Sequence, residues 1–374
     1  MMNGDSKIKV MSVFGTRPEA VKMVPLLLEM ADNERVHSKV CVTAQHRELL
    51  DGILEPFGIK PEFDLNLMTA GQTLTDITAR VLRELAPILE KTRPDILLVH
   101  GDTTTTFAAS LAAFYARVAV GHVEAGLRSF DKYRPYPEEI NRKLTTSLAD
   151  LYFAPTELSR ENLLRENIPR EKIFITGNTA IDMIKHTVSE GRSFNACELN
   201  DVDFSKRVIL MTAHRRENWG QPMLDICNAV KRVVSDFPDV FVVWPVHPGK
   251  TVVKPAREIL GGTERVLLTE PLDIFDMHNM MNRAHLLLTD SGGLQEESPS
   301  FDLPTIVLRE VTERPEGLAA GTLTLAGVGE DCVYNETARL LTDRAAYEKM
   351  SAAKNPFGDG NASRRIIDAI LSDF

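Results

Sequence analysis

The sequence lacks the features that mark membrane, secreted and nucleic-acid-binding proteins. Its 374 residues include four cysteines, which lie far apart and form no C-x-x-C pair of the kind found in zinc and redox motifs. No apolar run approaches the length that spans a bilayer, and the N-terminal segment has no apolar core of a signal peptide. The formal net charge of -10 offers no basic field for phosphate backbones or anionic lipid. We therefore expect a cytoplasmic protein with no nucleic-acid or membrane partner.

What the sequence does contain is an alternation of short β-branched runs with amphipathic stretches, typical of parallel sheets covered by helices on both faces. The alternation stops after Ile181 in a polar stretch and restarts at "RVILMTAH". Because the chain is longer than one hydrophobic core usually serves, we predict two doubly wound α/β domains. The predicted boundaries are residues 1–180, a linker over 181–206, and residues 207–360. The apolar stripe in residues 361–374 predicts a final helix that buries one face.

In open α/β sheets, ligands bind beyond the carboxyl ends of the strands, so the loops at those ends are the candidate sites. In "LLLTDSGGLQEES" an apolar strand passes into a helix through Ser291, Gly292 and Gly293. The glycines allow close backbone approach and the helix start favours an anion such as phosphate, although a plain turn with Ser291 as N-cap explains the same letters. Glu297, one helical turn later, could accept hydrogen bonds from a sugar diol.

Cationic side chains follow three other predicted strand ends. Arg17 opens a predicted helix in "GTRPEAVK", with Lys22 within helical reach, and Arg314 repeats the arrangement in "TERPE". An arginine in this position binds an anion bidentately or pairs with a surface carboxylate. His214 and Arg215 follow a further strand in "TAHRREN", and we interpret them as anion ligands.

Carboxylates and histidines alternate on two predicted strands, in "HGD" and "HVE". His100, Asp102, His122 and Glu124 on one face could bind a divalent metal. Alternatively, the two carboxylates are acid/base groups and the histidines are hydrogen-bonded core residues. Glu138, in "PYPEEINR", lies in the first turn of a predicted helix, where negative charge also simply favours the helix start.

Taken together, these loops resemble those of the non-hydrolysing bacterial UDP-N-acetylglucosamine 2-epimerases. The resemblance runs in order through nearly the whole chain, in "FGTRPEAVKM", "VTAQHREL", "LVHGDTTTT", "GHVEAGLRS", "PEEINR", "FITGNTAID", "TAHRREN", "LTDSGGLQEE", "TERPEGLAAGTL" and "NPFGDGNAS". It implies a glycosyltransferase-B type fold, in which two Rossmann-like domains face a central cleft. It also implies that the helix of residues 361–374 packs back on the first domain and that the protein is a homodimer.

The resemblance further implies a reversible epimerisation at C2 that interconverts UDP-GlcNAc and UDP-ManNAc, the latter a precursor of surface polysaccharides. The C2 proton has no adjacent carbonyl to acidify it, so UDP is expected to leave C1 first, giving 2-acetamidoglucal, and to add back afterwards. A single fixed base serves one face of the sugar, so more than one carboxylate is expected. The family implies no cofactor and no metal, which assigns His100 and His122 to structural roles.

By resemblance, the family's roles transfer to matching positions. The catalytic set comprises Asp102, Glu124, Glu138, Lys22 and His214. The substrate-binding set comprises Arg17, Ser291, Gly292, Gly293, Glu297 and Arg314. The pocket in which some members bind a second UDP-GlcNAc as an activator is matched by Gln45, His46, Arg215 and His247.

The sequence departs from the family pattern in two places. Glu48 and Gly71 stand where some activated members have glutamine and arginine, which leaves activation open. Met277 stands where many members have an aromatic residue beside uracil, with Phe275 two residues earlier. The contact to the base is therefore also open.

Three rival functions use the same sequence features. A UDP-sugar-dependent glycosyltransferase of the same fold would transfer the sugar to an acceptor, and a hydrolysing epimerase would release free ManNAc and UDP. A UDP-sugar sensor would bind without turnover, although three carboxylates at strand or helix ends argue against it. Incubation with UDP-GlcNAc and no acceptor separates these functions, because only a non-hydrolysing epimerase yields UDP-ManNAc.

Overall fold

The computed structural model describes residues 7–43, 47–67 and 71–374. The chain forms two compact units. Unit 1 comprises Met1–Met183 with Gly358–Phe374, and unit 2 comprises Ile184–Phe357. Each unit is built around one parallel sheet with intervening helices, so the predicted doubly wound α/β class is confirmed.

Every strand pairing within the two sheets is parallel. The strands of unit 1 are β1 (Ile8–Phe14), β2 (Val36–Val42), β3 (Phe63–Asp64), β4 (Ile96–His100), β5 (Ala119–Val123), β6 (Leu151–Ala154) and β7 (Ile173–Ile175). The strands of unit 2 are β8 (Arg207–Thr212), β9 (Val240–Pro245), β10 (Val266–Thr269), β11 (Leu286–Thr289), β12 (Thr305–Val307) and β13 (Leu323–Leu325). Their orders are β3-β2-β1-β4-β5-β6-β7 and β10-β9-β8-β11-β12-β13.

Helices connect the strands and continue past the last one. They are α1 (Arg17–Ala31), α2 (Arg47–Leu54), α3 (Leu74–Thr92), α4 (Thr104–Tyr115), α5 (Glu138–Leu148), α6 (Glu157–Arg165), α7 (Thr179–Thr187), α8 (Gln221–Asp236), α9 (Lys250–Leu260), α10 (Ile274–Arg283), α11 (Gly292–Glu297), α12 (Pro315–Ala320), α13 (Glu330–Thr342), α14 (Arg344–Ser351) and α15 (Ala362–Asp373). Within the described ranges, no helix combines the length and the apolar character needed to cross a membrane.

Each sheet has a position where the strand order reverses, between β1 and β4 in unit 1 and between β8 and β11 in unit 2. Chain connections leave such a pair of strands in opposite directions, which opens a crevice at their carboxyl ends. The loops that follow these four strands carry most of the residues singled out in the sequence. The topology therefore places the candidate chemistry at the carboxyl edge of each sheet.

The buried carboxylate of Glu19 ties together the two loops at the unit 1 crevice. Its Oε2 accepts hydrogen bonds from the backbone N–H groups of Gly15 and Thr16, at 3.0 and 2.7 Å, which completes a capping box at the start of α1. Its Oε1 accepts from the hydroxyls of Thr103 and Thr106 in the loop and first turn of α4, at 2.8 and 3.2 Å. The β1–α1 and β4–α4 loops are thus held in one fixed arrangement.

The C-terminal helix α15 belongs to unit 1 and packs against α1. The apolar stripe of its sequence is buried, with Ile366, Ile367 and Ile370 at most 2% exposed. The residues before it, from Gly358, lie against the start of α7. The last segment of the chain is therefore part of the same unit as the first strands.

The polar stretch of residues 181–206 contains packed structure. Helix α7 continues to Thr187, and a 3₁₀ turn forms at Cys197–Asp201. Phe194, Leu199 and Val202 are buried in the core of unit 2, beneath α10. Three apolar side chains spaced among polar ones thus anchor a segment whose composition resembles a linker.

Candidate active site

The three carboxylates predicted to act in catalysis lie in unit 1, and each has a different environment. Asp102 follows β4, and its Oδ2 accepts a hydrogen bond from Arg142 Nη2 at 2.5 Å. The Asn141 amide donates to the backbone oxygen of Asp102 at 3.0 Å. Arg142 and Asn141 both lie on the first turns of α5, so this helix determines where the Asp102 carboxylate points.

Glu124 follows β5 in the left-handed backbone region, with φ of 64°. Its Oε1 accepts hydrogen bonds from Lys22 Nζ on α1 and from Asn178 Nδ2, the latter at 3.1 Å. Its Oε2 lies 3.8 Å from His100 Nε2. The side chain is 9% exposed, so this carboxylate is held from three directions in a largely dehydrated position.

Glu138 is the first residue of α5 and is half-buried. Its Oε2 is buried and has no hydrogen-bond partner among the residues that the structure describes. The neighbouring Glu139 has a different environment, since it accepts from the backbone N–H groups of Ser129 and Phe130 and lies 3.4 Å from Arg142. Of the two glutamates in "PEE", the second supports the loop, and the first has a buried oxygen whose hydrogen bonding no described residue satisfies.

The two histidines of "HGD" and "HVE" are fully buried. Burial lowers the pKa of His100 to about 3 and that of His122 to about 4, so both are neutral near pH 7. His122 Nε2 lies 2.7 Å from the backbone oxygen of Gly101, which requires the proton on that nitrogen. Of the four residues first considered as metal ligands, His100 faces Glu124, whereas Asp102 faces Arg142 and His122 faces a backbone oxygen. Across residues 7–43, 47–67 and 71–374, no group of three or more His, Cys, Asp or Glu side chains is placed to hold a metal ion.

Two cations of the predicted set also lie in unit 1. Arg17 is the first residue of α1, is half-buried, and has no carboxylate within ion-pair distance in the part of the chain that the structure describes. Lys22 lies on the following turns of α1, beside Glu124. Both side chains therefore start at the crevice between β1 and β4.

In unit 2, the turn between β11 and α11 carries the predicted phosphate site. Ser291 occupies the N-cap position of α11 but makes no side-chain capping hydrogen bond. A Cβ atom added at Gly292 would lie 3.4 Å from Arg314 Nη2 and 3.6 Å from Arg215 Nη2, so two guanidinium groups flank this glycine. Backbone N–H groups and guanidinium groups together form an arrangement suited to a phosphate dianion. Gly293 follows, close to Glu297.

A buried aspartate that the sequence reasoning missed organises His214. Asp290 Oδ2 accepts from the backbone N–H groups of His214 and Arg215 and from Asn218 Nδ2, at 2.7, 2.8 and 2.9 Å. Its Oδ1 lies 3.1 Å from His214 Nδ1. Burial alone would raise the pKa of Asp290, but the contacts with His214 and the backbone N–H groups outweigh burial and lower it. His214 is thus oriented by a fixed anion, and its ring stacks on His247 with centroids 5.9 Å apart.

Glu297 is also held by a second residue. Its Oε2 lies 3.2 Å from His278 Nε2, and His278 Nδ1 lies 2.6 Å from the Thr187 hydroxyl. Met277 packs on the core of unit 2, and the Arg192 guanidinium covers the ring of Phe275 at 4.6 Å. The contact with His278 fixes the carboxylate of Glu297, the predicted ribose ligand.

The predicted activator residues are only partly described. Gln45 and His46 lie outside the described residues, as does the side chain of Glu48. Gly71 has φ of 74° and open space around its Cβ position. Arg215 and His247 both lie beside His214, within unit 2.

Four supporting residues were not predicted from the sequence: Asp290, Asn178, Arg142 and His278. Arg142 could have been found, because it lies four residues after Glu138 and so on the same face of α5. Asp290 directly precedes the glycine turn. A carboxylate beside a proposed phosphate site would repel the phosphate, and its role becomes clear only once the structure places it against His214. Asn178 and Glu124 are 54 residues apart, and no local pattern connects them.

Comparisons with known proteins bear on this geometry. A family model described as UDP-N-acetylglucosamine 2-epimerase matches residues 28–371. The UDP-N-acetylglucosamine 2-epimerase of Bacillus subtilis strain 168 is 54% identical over 365 residues, covering 98% of this chain and 95% of the relative. The enzyme of the same name from Escherichia coli K12 is 50% identical over 372 residues, covering 98% and 99%. A crystal structure of UDP-GlcNAc 2-epimerase from Neisseria meningitidis bound to UDP-GlcNAc is 44% identical, with a TM-score of 0.89 and coverage of 98% and 100%.

Proposed function

The chain belongs to the UDP-N-acetylglucosamine 2-epimerase family, and we propose that it inverts C2 of UDP-GlcNAc by eliminating UDP and adding it back. The enzyme is an isomerase. Cleavage of the C1–O bond comes first and leaves a cationic C1, which acidifies the neighbouring C2–H. Loss of that proton gives 2-acetamidoglucal, and protonation of the opposite face followed by return of UDP gives UDP-ManNAc.

The observation that carries this proposal is the set of three carboxylates in three different environments in unit 1. Asp102 faces a guanidinium, Glu124 faces an ammonium and an amide, and Glu138 has a buried oxygen without a partner in the described structure. Proton removal from one face of C2 and delivery to the other require separate groups with different proton affinities. Asp102, Glu124 and Glu138 supply these groups.

Unit 2 holds the nucleotide in this proposal. The Ser291–Gly293 turn, with Arg314 beside it, binds the diphosphate, and Glu297 binds the ribose hydroxyls. Arg17 and Lys22 add positive charge for the departing diphosphate. His214, oriented by Asp290, directs its ring toward the same group. Electrostatic stabilisation of the leaving group is the largest contribution expected in such a reaction.

Incubation of the enzyme with UDP-GlcNAc in heavy water, without an acceptor, tests this function. Proton NMR should show UDP-ManNAc with deuterium at C2, because the abstracted proton exchanges with water on a general base. Unchanged substrate would favour a glycosyltransferase or a sensor. Free ManNAc with UDP would indicate a hydrolysing epimerase, and hydrogen wholly retained at C2 would indicate internal return of the proton or a hydride route.

A second copy of the chain is the proposed protein partner. Helices α4 and α5 pack together and expose apolar side chains, namely Phe114, Tyr115, Ile140 and Leu144, which are 37% to 70% exposed. Such a patch on an enzyme with net charge -10 is suited to an apolar interface. Light scattering should give a dimer mass for the wild type and a monomer mass for Tyr115→Glu. A dimer in both would exclude this surface.

A nucleotide sugar as substrate favours a cytoplasmic enzyme that supplies surface polysaccharide synthesis. We also propose that the substrate, UDP-GlcNAc, is an activator. Arg215 and His247 lie beside His214, where a second UDP-GlcNAc would meet a guanidinium and two imidazoles. We expect the reverse reaction from pure UDP-ManNAc to show a lag that added UDP-GlcNAc removes. Immediate full velocity without added UDP-GlcNAc would exclude such activation.

A further inference from the structure

The Glu124 carboxylate has one oxygen committed to binding donors. Oε1 accepts from Lys22 Nζ and from Asn178 Nδ2, whereas Oε2 faces His100 Nε2 at 3.8 Å. An oxygen that already accepts two hydrogen bonds is the poorer place for a proton. The two bonds on Oε1 also fix the direction of the carboxylate.

Asn178 is fixed so that its amide nitrogen must face Glu124. The residue is 4% exposed, and its Oδ1 accepts a hydrogen bond from the backbone N–H of Ala180 at 3.0 Å. This bond caps the first turn of α7 and leaves Nδ2 to donate to Glu124. The orientation of the amide follows from the donor at Ala180.

The C-terminal segment, Gly358–Phe374, holds the chain on both sides of Asn178. Asp182 accepts hydrogen bonds from the backbone N–H groups of Ala362 and Ser363, at 3.0 and 3.3 Å, at the start of α15. Arg365 Nη1 donates to the backbone oxygen of Thr176 at 3.0 Å. Gly358 lies so close that a Cβ there would be 3.4 Å from the backbone nitrogen of Asn178. The loop that carries Asn178 is thus clamped by the end of the chain.

We propose that Asn178 is a positioning residue that holds the Glu124 carboxylate in one orientation for proton exchange with the sugar, and that the C-terminal segment keeps Asn178 in place. The inference rests on the proposed function, in which Glu124 exchanges a proton with C2. Lys22 cannot do this work alone, because it also serves the departing diphosphate and its attraction to Glu124 varies with that charge. A neutral amide can donate to Oε1 in both protonation states of Glu124 and adds no net charge of its own.

The titratable groups facing Glu124 lie on three elements. Lys22 on α1 carries the ammonium, and His100 on β4 and His122 on β5 are neutral because of burial. A new carboxylate at position 178 would therefore lie against Glu124, beside the ammonium of Lys22. Two carboxylates this close retain a proton to higher pH than either would alone.

Two substitutions of Asn178, by serine and by aspartate, test its role. Serine and aspartate both cap helix N-termini well, so the start of α7 should be preserved. Asn178→Ser is too short to reach Glu124, and we expect kcat to fall about 10- to 100-fold with little change in KM for UDP-GlcNAc. Asn178→Asp should move the acidic limb of the kcat–pH profile to higher pH. Asn162→Ala is the control for a lost buried amide, because Asn162 is equally buried but donates to the backbone oxygen of Gly126.

A second pair of substitutions tests the C-terminal segment. Asp182→Asn weakens the hold on the start of α15, and we expect a smaller fall in kcat that leaves KM unchanged. Lys172→Ala removes the ion pair between Lys172 and Asp373 at the other end of α15, which does not touch the Asn178 loop, and should leave kcat unchanged.

The outcomes separate this inference from the proposed function. Wild-type kcat and an unmoved pH profile in both Asn178 variants, with Glu124→Gln inactive, would overturn the positioning role alone. A wild-type protein that makes no UDP-ManNAc, or a fully active Glu124→Gln variant, would overturn the proposed function instead. Equal loss of kcat in Asn162→Ala and Asn178→Ser would also overturn the inference, because it would show a general cost of lost burial.

Discussion

At the residue scale, the candidate site is defined by pairs in which one side chain fixes the charge or direction of another. Arg142 faces Asp102, Asn178 faces Glu124, Asp290 faces His214 and His278 faces Glu297. In each pair, one member was predicted from the sequence and the other was not. The predicted members follow strand ends or lie in helix-start motifs, whereas their partners are brought to them by tertiary packing.

Replacing Asp102 by asparagine should remove an acid/base group while preserving its shape. We expect turnover to fall by roughly two to four orders of magnitude, the usual contribution of a positioned acid/base group. The affinity for UDP should change little, because the nucleotide is held by unit 2. Stopped assays give turnover, and calorimetry gives the affinity for UDP. Asp131→Asn, at an exposed position of the same unit, is the control, and near-normal turnover of Asp102→Asn would leave Glu124 and Glu138 as the acid/base pair.

Replacing Asp290 by asparagine should release the ring of His214. The Asp290 carboxylate accepts three hydrogen bonds on one oxygen and faces the imidazole with the other, so an amide would turn an N–H group toward existing donors. We expect a loss of kcat of about 10-fold or more together with weaker UDP binding, since the ring of His214 would no longer be held toward the diphosphate. A variant that binds UDP and turns over like the wild type would remove Asp290 from the site.

At the scale of elements, the sequence predicts most of the strands and their order of appearance, because they are short runs rich in apolar and β-branched residues. All five residues of β4 are buried, for example, as expected for a parallel sheet covered on both faces. The anchors in residues 181–206 could not be predicted, because Phe194, Leu199 and Val202 are too widely spaced to form a pattern of their own. Long-range partners such as Asp182 and Ala362 depend on how whole elements pack.

The link between the β1–α1 and β4–α4 loops depends on one buried carboxylate. Burial raises the pKa of Glu19 although hydrogen bonds from Thr16, Gly15 and Thr103 oppose the rise. Glu19→Gln would place an amide N–H group among these donors, and we expect a loss of about 1 to 3 kcal/mol in the free energy of unfolding. Urea denaturation followed by circular dichroism measures this loss. Glu29→Gln, at an exposed position of the same helix, should be neutral, and equal stability of both variants would show that the loops are held by other contacts.

At the scale of the whole molecule, buried neutral histidines make stability depend on pH. Burial lowers the pKa of His100 to about 3 and of His122 to about 4 in unit 1, and that of His285 to about 4 in unit 2. In the unfolded chain these groups take up protons near pH 6.5, so the unfolded state binds more protons throughout the range between the two pKa values. The contribution of these histidines to the free energy of unfolding is therefore fully present above about pH 6.5 and is lost as the pH decreases toward 4.

The two units should report this acid sensitivity separately, because both tryptophans, Trp219 and Trp244, lie in unit 2. Tryptophan fluorescence therefore follows unit 2, whereas far-ultraviolet circular dichroism follows both units. For each buried histidine, the free energy of unfolding should fall by up to about 1.4 kcal/mol per pH unit below pH 6.5. His122→Gln should flatten this dependence in the dichroism signal and leave the fluorescence transition unchanged, while His37→Gln, at an exposed position, should alter neither. A wild-type dichroism transition that does not move between pH 6.5 and pH 4.5 would show that the buried histidines are not held neutral.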